Sequence, residues 1–422
     1  MHPTTLAIDF GTSNSLCGAW HQGRRVEALA LDPTAPDPTL MRTLLYFPEA
    51  DRCFYGAEAI AKYLEFEMEG RLFRSFKSHL PNRNYLGTFV GSRPVTLETM
   101  VGTFLLEMRK RAEEILNAKI EHAVIGKPAR YAMDPMGDEF ALYRMGKAAE
   151  MAGFKSFRFV PEPLAAALDA RRQIPGEKIA LIGDFGGGTS DFTLIRIGPF
   201  RFEKNHVLAI EGCPQAGDVL DSVFMSEKLN AYFGAKAEYK MSLGNNRLRM
   251  PKSIMERLNK PAHIVHLKEK DTYEFIRQVR LGTTNMRDRE AIDRLFLLIQ
   301  EQQAFSFFEH IEKTKRALSA AASAQFTFDY PGLEMQEPFS RLQFETWAEP
   351  MCAAVFKALD ECLNQASLKI SDVDLVCLTG GTAQVPMIRD EFRKRFGEEK
   401  LQTQSHFHSV LSGLIESAGM EP

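Results

Sequence analysis

The chain has 422 residues, 45% of them hydrophobic and 25% charged, with a formal net charge of -3. That length fits two or three domain-sized units with a large buried core. The near-balanced charge, without a dense Lys/Arg block, argues against a dedicated binder of nucleic acid or membrane surface, and no apolar run reaches the roughly 20 residues that cross a bilayer.

The first phrase of the chain, LAIDFGTSNSLCGAW (6–20), reads as strand, tight turn, strand, with Asp9 at the end of an apolar run. A helix is predicted over LETMVGTFLLEMRKRAEEIL after Thr96, from apolar residues at three- and four-residue spacing. HAVIGKPA (122–129) predicts a strand. RFVPEPLAAALDA (158–170) predicts a strand ending at Val160, then a helix with Pro163 in its first turn and alanines that allow close packing. The opening phrase then returns as LIGDFGGGTSDFTLI (181–195), with Asp184 where Asp9 stood. Alternating residues follow the turn in both copies and favour a second strand over a helix, so each glycine run is a hairpin turn.

The region of Gly217 reads as a further hairpin. A second long helix is predicted over QEQQAFSFFEHIEKTKRALSAAASA from Gln300, and VDLVCLTGG (373–381) predicts a strand running into a helix at about Pro386. Alternating strands and helices with an internal duplication point to an α/β architecture of two lobes around a cleft. The six cysteines, Cys17, Cys53, Cys213, Cys352, Cys362 and Cys377, form no C-x-x-C pair and sit mostly among apolar neighbours, as buried reduced thiols do. The N-terminal MHPTTLAIDF lacks a basic stretch followed by a long apolar one. The expected compartment is the cytoplasm.

A carboxylate at a strand end, beside glycine amides and hydroxyls, suits a magnesium nucleotide. Mg²⁺ prefers hard oxygens, often through water, and phosphates prefer N–H donors. Either Asp-Phe-Gly copy alone reads as a tight turn with a satisfied aspartate; two copies, one with Gly186, Gly187 and Gly188, favour phosphate binding. There is no G-x-x-x-x-G-K-[ST], and the glycines lead into a strand rather than the helix of a dinucleotide fingerprint. Glu162 sits at a helix mouth, as a helix-terminus charge or as a ligand to metal or water. Gly380 and Gly381 fit a strand-to-helix turn or a nucleotide lying against the main chain. Glu312, Lys315, Arg316 and Ser319 form one polar helix stripe, whose ordinary explanation is a solvated face. The pair His406 and His408 reads as a surface turn rather than a metal site.

In this order and at these separations, the glycine motifs resemble those of the sugar kinase, actin and heat-shock ATPase superfamily. DFGGGTSDFTL, PEPLAAAL and EKTKRALS together resemble the seventy-kilodalton heat-shock chaperone (DnaK) family, most closely its short YegD-like branch, over nearly the whole chain as an ATPase domain. The resemblance implies an α/β, duplicated ribonuclease H-like (actin-like) fold with two lobes around a nucleotide cleft. Lobe I would span 1–172, with an outer subdomain at about 36–115, and lobe II 173–400, with one at about 217–344; residues 401–422 would return to lobe I.

The resemblance further implies ATP or ADP with Mg²⁺ as cofactors. Gly11, Thr12 and Ser13 would hold phosphates from one side, and Gly186, Gly187, Gly188 and Thr189 from the other, with Asp9 and Asp184 on the hydrated metal. RSFKSHLP makes Lys77 the counterpart of the family's catalytic lysine; the alternative is a surface lysine in a basic loop. Glu162, Asp184 and Asp191 would complete the catalytic shell. Glu312, Lys315, Arg316 and Ser319 fall on the family's nucleoside-contact helix, which replaces the solvated-face reading, and Gly217, Asp218 and Asp221 match its GGED region. Gly380 and Gly381 join the nucleotide contacts.

Three departures accompany the match. Gln384 stands where the family has an adenine-stacking arginine, so a guanidinium plane is lost. The late signature is reduced to SHFHSVLSGLIESA, which keeps Gly413 and lacks the acid. The expected chain has no peptide-binding domain or lid, and 235–290 is the stretch least like the family. The resulting expectation is a slow, Mg-dependent ATP-hydrolysing chaperone-like switch acting on unidentified clients or co-chaperones, without nucleic acid or membrane. A non-hydrolysing nucleotide-dependent scaffold is the alternative, ahead of a sugar kinase or a polymerising actin relative.

Overall fold

The two hairpins read from the repeated phrase form at the expected places in the structure, a computed structural model. It describes residues 3–420 apart from 68, 133, 172–175, 199–203, 241–245, 261–262 and 403–407. His406 therefore lies outside the described residues, as do parts of the 235–290 stretch. The chain divides into two units, Met1–Pro214 with Val355–Ala383 and Ile388–Pro422, and Gln215–Ala354 with Gln384–Met387.

In the first unit, strand Thr5–Phe10 pairs antiparallel with Asn14–His21 and strand Lys178–Phe185 with Ser190–Ile197. Each first strand takes a parallel neighbour on its other edge, His122–Lys127 in one sheet and Leu375–Thr379 in the other. Each second strand takes an antiparallel one, Arg24–Val26 and Val207–Cys213. A second parallel strand completes each series, Ser156–Pro161 and Leu401–Gln402. The two sheets thus run through the same order and sense of strands.

Helix Glu162–Arg171 and the helix Ser409–Gly419 pack on each other. Their residues join one core with Ala7, Leu16 and Val124 of the first sheet and Ala180, Ile182 and Ile195 of the second. The run Ala165, Ala166, Ala167, fully or almost fully buried, is what permits this approach. The other face of the first sheet is covered by helix Leu97–Leu116, capped by Thr96 through a 3.1 Å bond from Thr99 N, and by helix Pro135–Met151, capped by Asp134 through Gly137 N at 2.8 Å.

The second unit is built around aromatic rings. Phe307 lies 5.2 Å from Phe326 and 5.0 Å from Phe328, and Phe224 lies 5.0 Å from Phe339. Two expectations need correction here. The region of Gly217 is no hairpin: it opens the helix Gly217–Glu227, because Leu220 and Phe224 bury one apolar face and Asp218 suits the positive end of the helix. The helix expected from Gln300 forms as one helix but starts later: a separate helix, Met286–Gln300, ends where it was to begin, Gln302 turns with φ 53°, and the expected helix covers Ala304–Ala320. Its expected tail, from Ser323, becomes a strand, because Phe326 and Phe328 find a core through pairing with Met335–Ser340.

Gly413 marks the tightest helix contact: a Cβ there would fall 1.7 Å from the backbone oxygen of Ala165. Gly413→Ala must push two core helices apart, a loss of roughly 1–3 kcal/mol or more. Thermal melting should show a clearly lowered midpoint, and an unchanged midpoint would contradict this packing.

Candidate functional site

Asp9 is the last but one residue of the first strand, just before Phe10, and Asp184 occupies the same place before Phe185. Lys77 lies on a short 3-10 turn, Phe76–His79, entered through Ser75 in the left-handed region at φ 54°. Phe76 is buried against Phe10 and Phe104, with ring centroids 6.0 and 6.1 Å away. An aromatic trio therefore joins the neighbour of Lys77 to the neighbour of Asp9. The surface-loop alternative for Lys77 is excluded. Its side chain is 9% exposed, and its Nζ donates to Glu162 Oε1 at 3.2 Å.

Glu162 begins its helix as the sequence predicts. Burial raises its pKa, opposed by the charge of Lys77 and reinforced by that of Asp184, whose side chain it also hydrogen-bonds. Two carboxyl groups in contact need a proton between them. Asp9 is closely surrounded: burial, then the charge of Glu162, push it up to about 8 against the pull of Lys77, and Asp184 adds to the rise. Burial and then Asp184 push Asp191 up to about 7, while the hydroxyl of Thr189, donating at 2.8 Å, works against the rise. Thr379 donates to Asp184 Oδ1 at 2.8 Å and fixes its rotamer. The structure thus brings Asp9, Lys77, Glu162, Asp184 and Asp191 within electrostatic reach of one another.

The glycine turns flank this cluster. In the first, Thr43 holds the loop from beneath by donating to Gly11 O at 2.8 Å and, through its own amide, to Ser13 O at 2.9 Å. Thr12 is half-buried and Ser13 exposed. In the second, Gly186 N donates to Thr189 O at 3.0 Å, and a Cβ at Gly188 would meet no protein atom within 4 Å. Gly380, with φ 84°, lies against the Phe185 backbone, where any Cβ would sit 2.1 Å from its oxygen. The Thr382 hydroxyl donates to Gly186 O at 3.1 Å, so the Gly380, Gly381 turn and the glycine hairpin brace each other.

In the second unit the stripe meets the Gly217 helix. Lys315 Nζ lies 2.7 Å from Asp221 Oδ1 and 3.4 Å from Gly217 O. Burial pushes Asp221 up to about 6 against that ammonium, and Glu312 and Asp218 add to the rise. Arg316 pairs with Glu312 one turn away, and Ser319 bonds back to Lys315 O. Lys315 is consequently a half-buried member of an ion pair and not part of a solvated face. Gln384 is exposed.

Sequence reasoning missed Thr43, Thr379 and Tyr131. Thr379 is legible as the hydroxyl just before Gly380. Tyr131 has no such signal. Its hydroxyl is buried without a hydrogen-bond partner among the described residues, and its ring centre is 6.0 Å from Lys77 Nζ. Burial, then the charges of Glu162 and Asp138, hold that hydroxyl protonated. It is an orphaned donor beside an ammonium, as an anion site requires.

The donor set also fits magnesium. All of its members are carboxylate oxygens, and among the described residues no group of three or more His, Cys, Asp or Glu forms a cage by itself. Mg²⁺ characteristically takes one or two carboxylates and keeps several waters.

The sequence model of the Hsp70 protein matches residues 82–257 and 286–413, well over half of the chain. The chain belongs to the Hsp70 family. The matched part is the family's nucleotide-binding, chaperone-type ATPase region. In this Hsp70-family chain the first hairpin and Lys77 precede the matched residues, and the helix Lys270–Gly282 falls in the gap. No helix among the described residues is long and apolar enough to cross a membrane.

The raised carboxyl at Asp9 has a consequence for stability. Folded Asp9 keeps its proton up to about 8, whereas the unfolded group releases it near 3.8. Its contribution is therefore fully present below about pH 4 and is lost as pH rises towards 8. Asp9→Asn removes that loss: its melting midpoint should exceed that of the wild type by more at pH 8 than at pH 5. An equal difference at both pH values would show that Asp9 is not buried among like charges.

Proposed function

We propose that this chain is a slow, Mg-dependent ATPase of the Hsp70 type acting as a nucleotide switch, with residues 1–172 and 173–400 as the two lobes of a duplicated ribonuclease H-like fold. The matching five-strand series of the two sheets, to which the first adds Met41–Arg42, supports the duplication, and the separate unit Gln215–Ala354 supports an outer subdomain at about 217–344. The observation that carries the reading is the buried Lys77–Glu162 pair beside Asp9, Asp184 and Asp191 at the tips of two glycine hairpins.

The residues take the following roles. Asp9 and Asp184 hold the hydrated Mg²⁺, Asp184 in the rotamer set by Thr379. Lys77 supplies a positive charge to the γ-phosphate region, where negative charge spreads during phosphoryl transfer. The amides of the Gly11–Ser13 and Gly186–Thr189 turns, with the hydroxyls of Thr12, Ser13 and Thr189, bind phosphate oxygens. Glu162 or Asp191 orients the attacking water and accepts its proton, and the raised pKa of each, set first by burial, makes it a better proton acceptor than an exposed carboxylate. Bound magnesium supplies charge neutralisation across the phosphates. Gly217, Asp218, Glu312, Lys315, Arg316 and Ser319 contact the nucleoside, with Gly380, Gly381 and Gln384 completing the base environment.

Membership of the YegD-like branch, a cytoplasmic location and binding of a client or co-chaperone belong to the same proposal. Exposed Gln384 favours one further reading, a weak nucleotide binder that does not hydrolyse.

Phosphate release from ATP separates the two. Wild type should turn over and Asp184→Asn should lose about 10²–10³-fold in kcat, the size of one lost electrostatic contact. Neither protein turning over, while ATP still raises the melting midpoint, selects the non-hydrolysing reading. Lys77→Ala should keep nucleotide binding and lose most turnover, since Glu162 can take up a proton once its partner is gone. Gly187→Val should lose binding, and binding equal to wild type would contradict the phosphate cradle.

A further inference from the structure

The segment that leaves the Lys77 turn, residues 79–85, contains no strand and no helix beyond the end of that turn. Four of its carbonyls converge on a single side chain from another element. Arg144, on the helix Pro135–Met151, donates through Nη1 to His79 O at 3.3 Å, Leu80 O at 3.5 Å and Asn82 O at 3.3 Å, and through Nη2 to Tyr85 O at 2.7 Å. Its Nε lies 2.8 Å from Glu98 Oε1, in the first turn of the helix Leu97–Leu116. Phe140 closes the remaining face, 4.5 Å from the guanidinium carbon.

Arg144 is 1% exposed and the bulkiest of the fully buried side chains. A buried cation is tolerated when a carboxylate and hydrogen-bond acceptors surround it, and removing one member leaves the others uncompensated. The carbonyls have the matching need, since a buried C=O without a donor is itself unfavourable. Only a planar fork with several N–H groups serves these carbonyls and Glu98 together; an ammonium on a flexible stem does not.

The clamp begins two residues after Lys77. On the other side, Phe76 is fixed in the trio with Phe10 and Phe104. The short turn that carries Lys77 is thus anchored at both ends, and Arg83 adds one further bond to the helix Pro135–Met151, to Met136 O at 3.2 Å.

We propose that Arg144, charge-balanced by Glu98, is a positioning residue for Lys77, setting the backbone from which the Lys77 ammonium reaches Glu162 and the γ-phosphate region. This rests on the catalytic role assigned to Lys77 above. Arg144 touches no proposed ligand group and acts through the chain it holds.

The test uses Arg144→Lys and Glu98→Gln, with Arg109→Ala as control. Arg109 is an arginine on the same helix as Glu98 whose partners, Gly153 O at 2.9 Å and the Phe154 ring at 5.9 Å, lie outside the Lys77 segment. Arg144→Lys and Glu98→Gln should lower kcat about ten- to a hundredfold, the scale of a small misplacement of a catalytic group, with nucleotide Kd unchanged, and Arg109→Ala should leave kcat alone. Added to Lys77→Ala, Glu98→Gln should produce no further loss, because both act through one side chain. Wild-type kcat in Glu98→Gln, or an additive loss in the double variant, overturns the proposal.

Hydrogen exchange keeps the test independent of turnover. Amides 77–85 should exchange faster in Glu98→Gln and in Arg144→Lys than in wild type and Arg109→Ala, and unchanged exchange overturns the clamp. If Arg144→Lys does not fold, Glu98→Gln carries both measurements, since its side chain is 22% exposed and meets the guanidinium from outside the segment. A wild-type chain without turnover, or a fully active Lys77→Ala, refutes the role of Lys77 while exchange still reports on the clamp.

Discussion

Crowding of negative charge in a buried space governs this structure. Burial first, and then neighbouring acids that include Asp184, raise the affinity of Asp9, Glu162 and Asp191 for protons, and the ammonium of Lys77 stands among them. Left to themselves, such groups move apart or take up protons. They stay together because each grows from a rigid element. Two aspartates are the last but one residues of central strands, one is the second residue of the partner strand of a hairpin, and the glutamate starts a helix packed into the core. The strain of like charges is held by the scaffold and is available to a cation, which relieves it. That link between an unfavourable resting arrangement and a favourable bound one is the physical basis of the proposed metal-nucleotide site.

The scaffold meets this demand through close helix and sheet contacts. The alanine-rich helix beginning at Glu162 can lie against the helix Ser409–Gly419 only because Gly413 and Ala165 are small, and that contact fixes where Glu162 points. On the other face of the first sheet, Phe10, Phe76 and Phe104 transmit position by van der Waals contact. Interiors packed this densely resist small displacements, so the separation of Lys77 from Asp9 is held by the rings beside them. The second unit shows the same economy, with Lys315 neutralising Asp221 in a half-buried pair while aromatic rings fill its core.

The proposed positioning role of Arg144 follows the same logic at a distance from the acids. A segment without regular secondary structure has carbonyls to satisfy, and here one guanidinium satisfies four of them.

By itself the sequence determined the local elements and their chemistry. Period-two alternation around Asp-Phe-Gly placed both hairpins, Pro163 and the alanines placed the Glu162 helix, and the order of motifs placed the chain in its family. These features are short-range, carried by neighbours along the chain. Tertiary structure alone decided what depends on partners remote in sequence. It turned Gly217 into a helix start and Ser323–Phe328 into a strand, because burial of Phe224 and pairing with Met335–Ser340 outweigh local preference. It buried Lys77 against Glu162, 85 positions away, and it assembled the surroundings of Tyr131, Thr43 and Arg144, none of which carries a motif. Charge, burial and hydrogen-bond satisfaction are properties of a neighbourhood, and only folding assembles one.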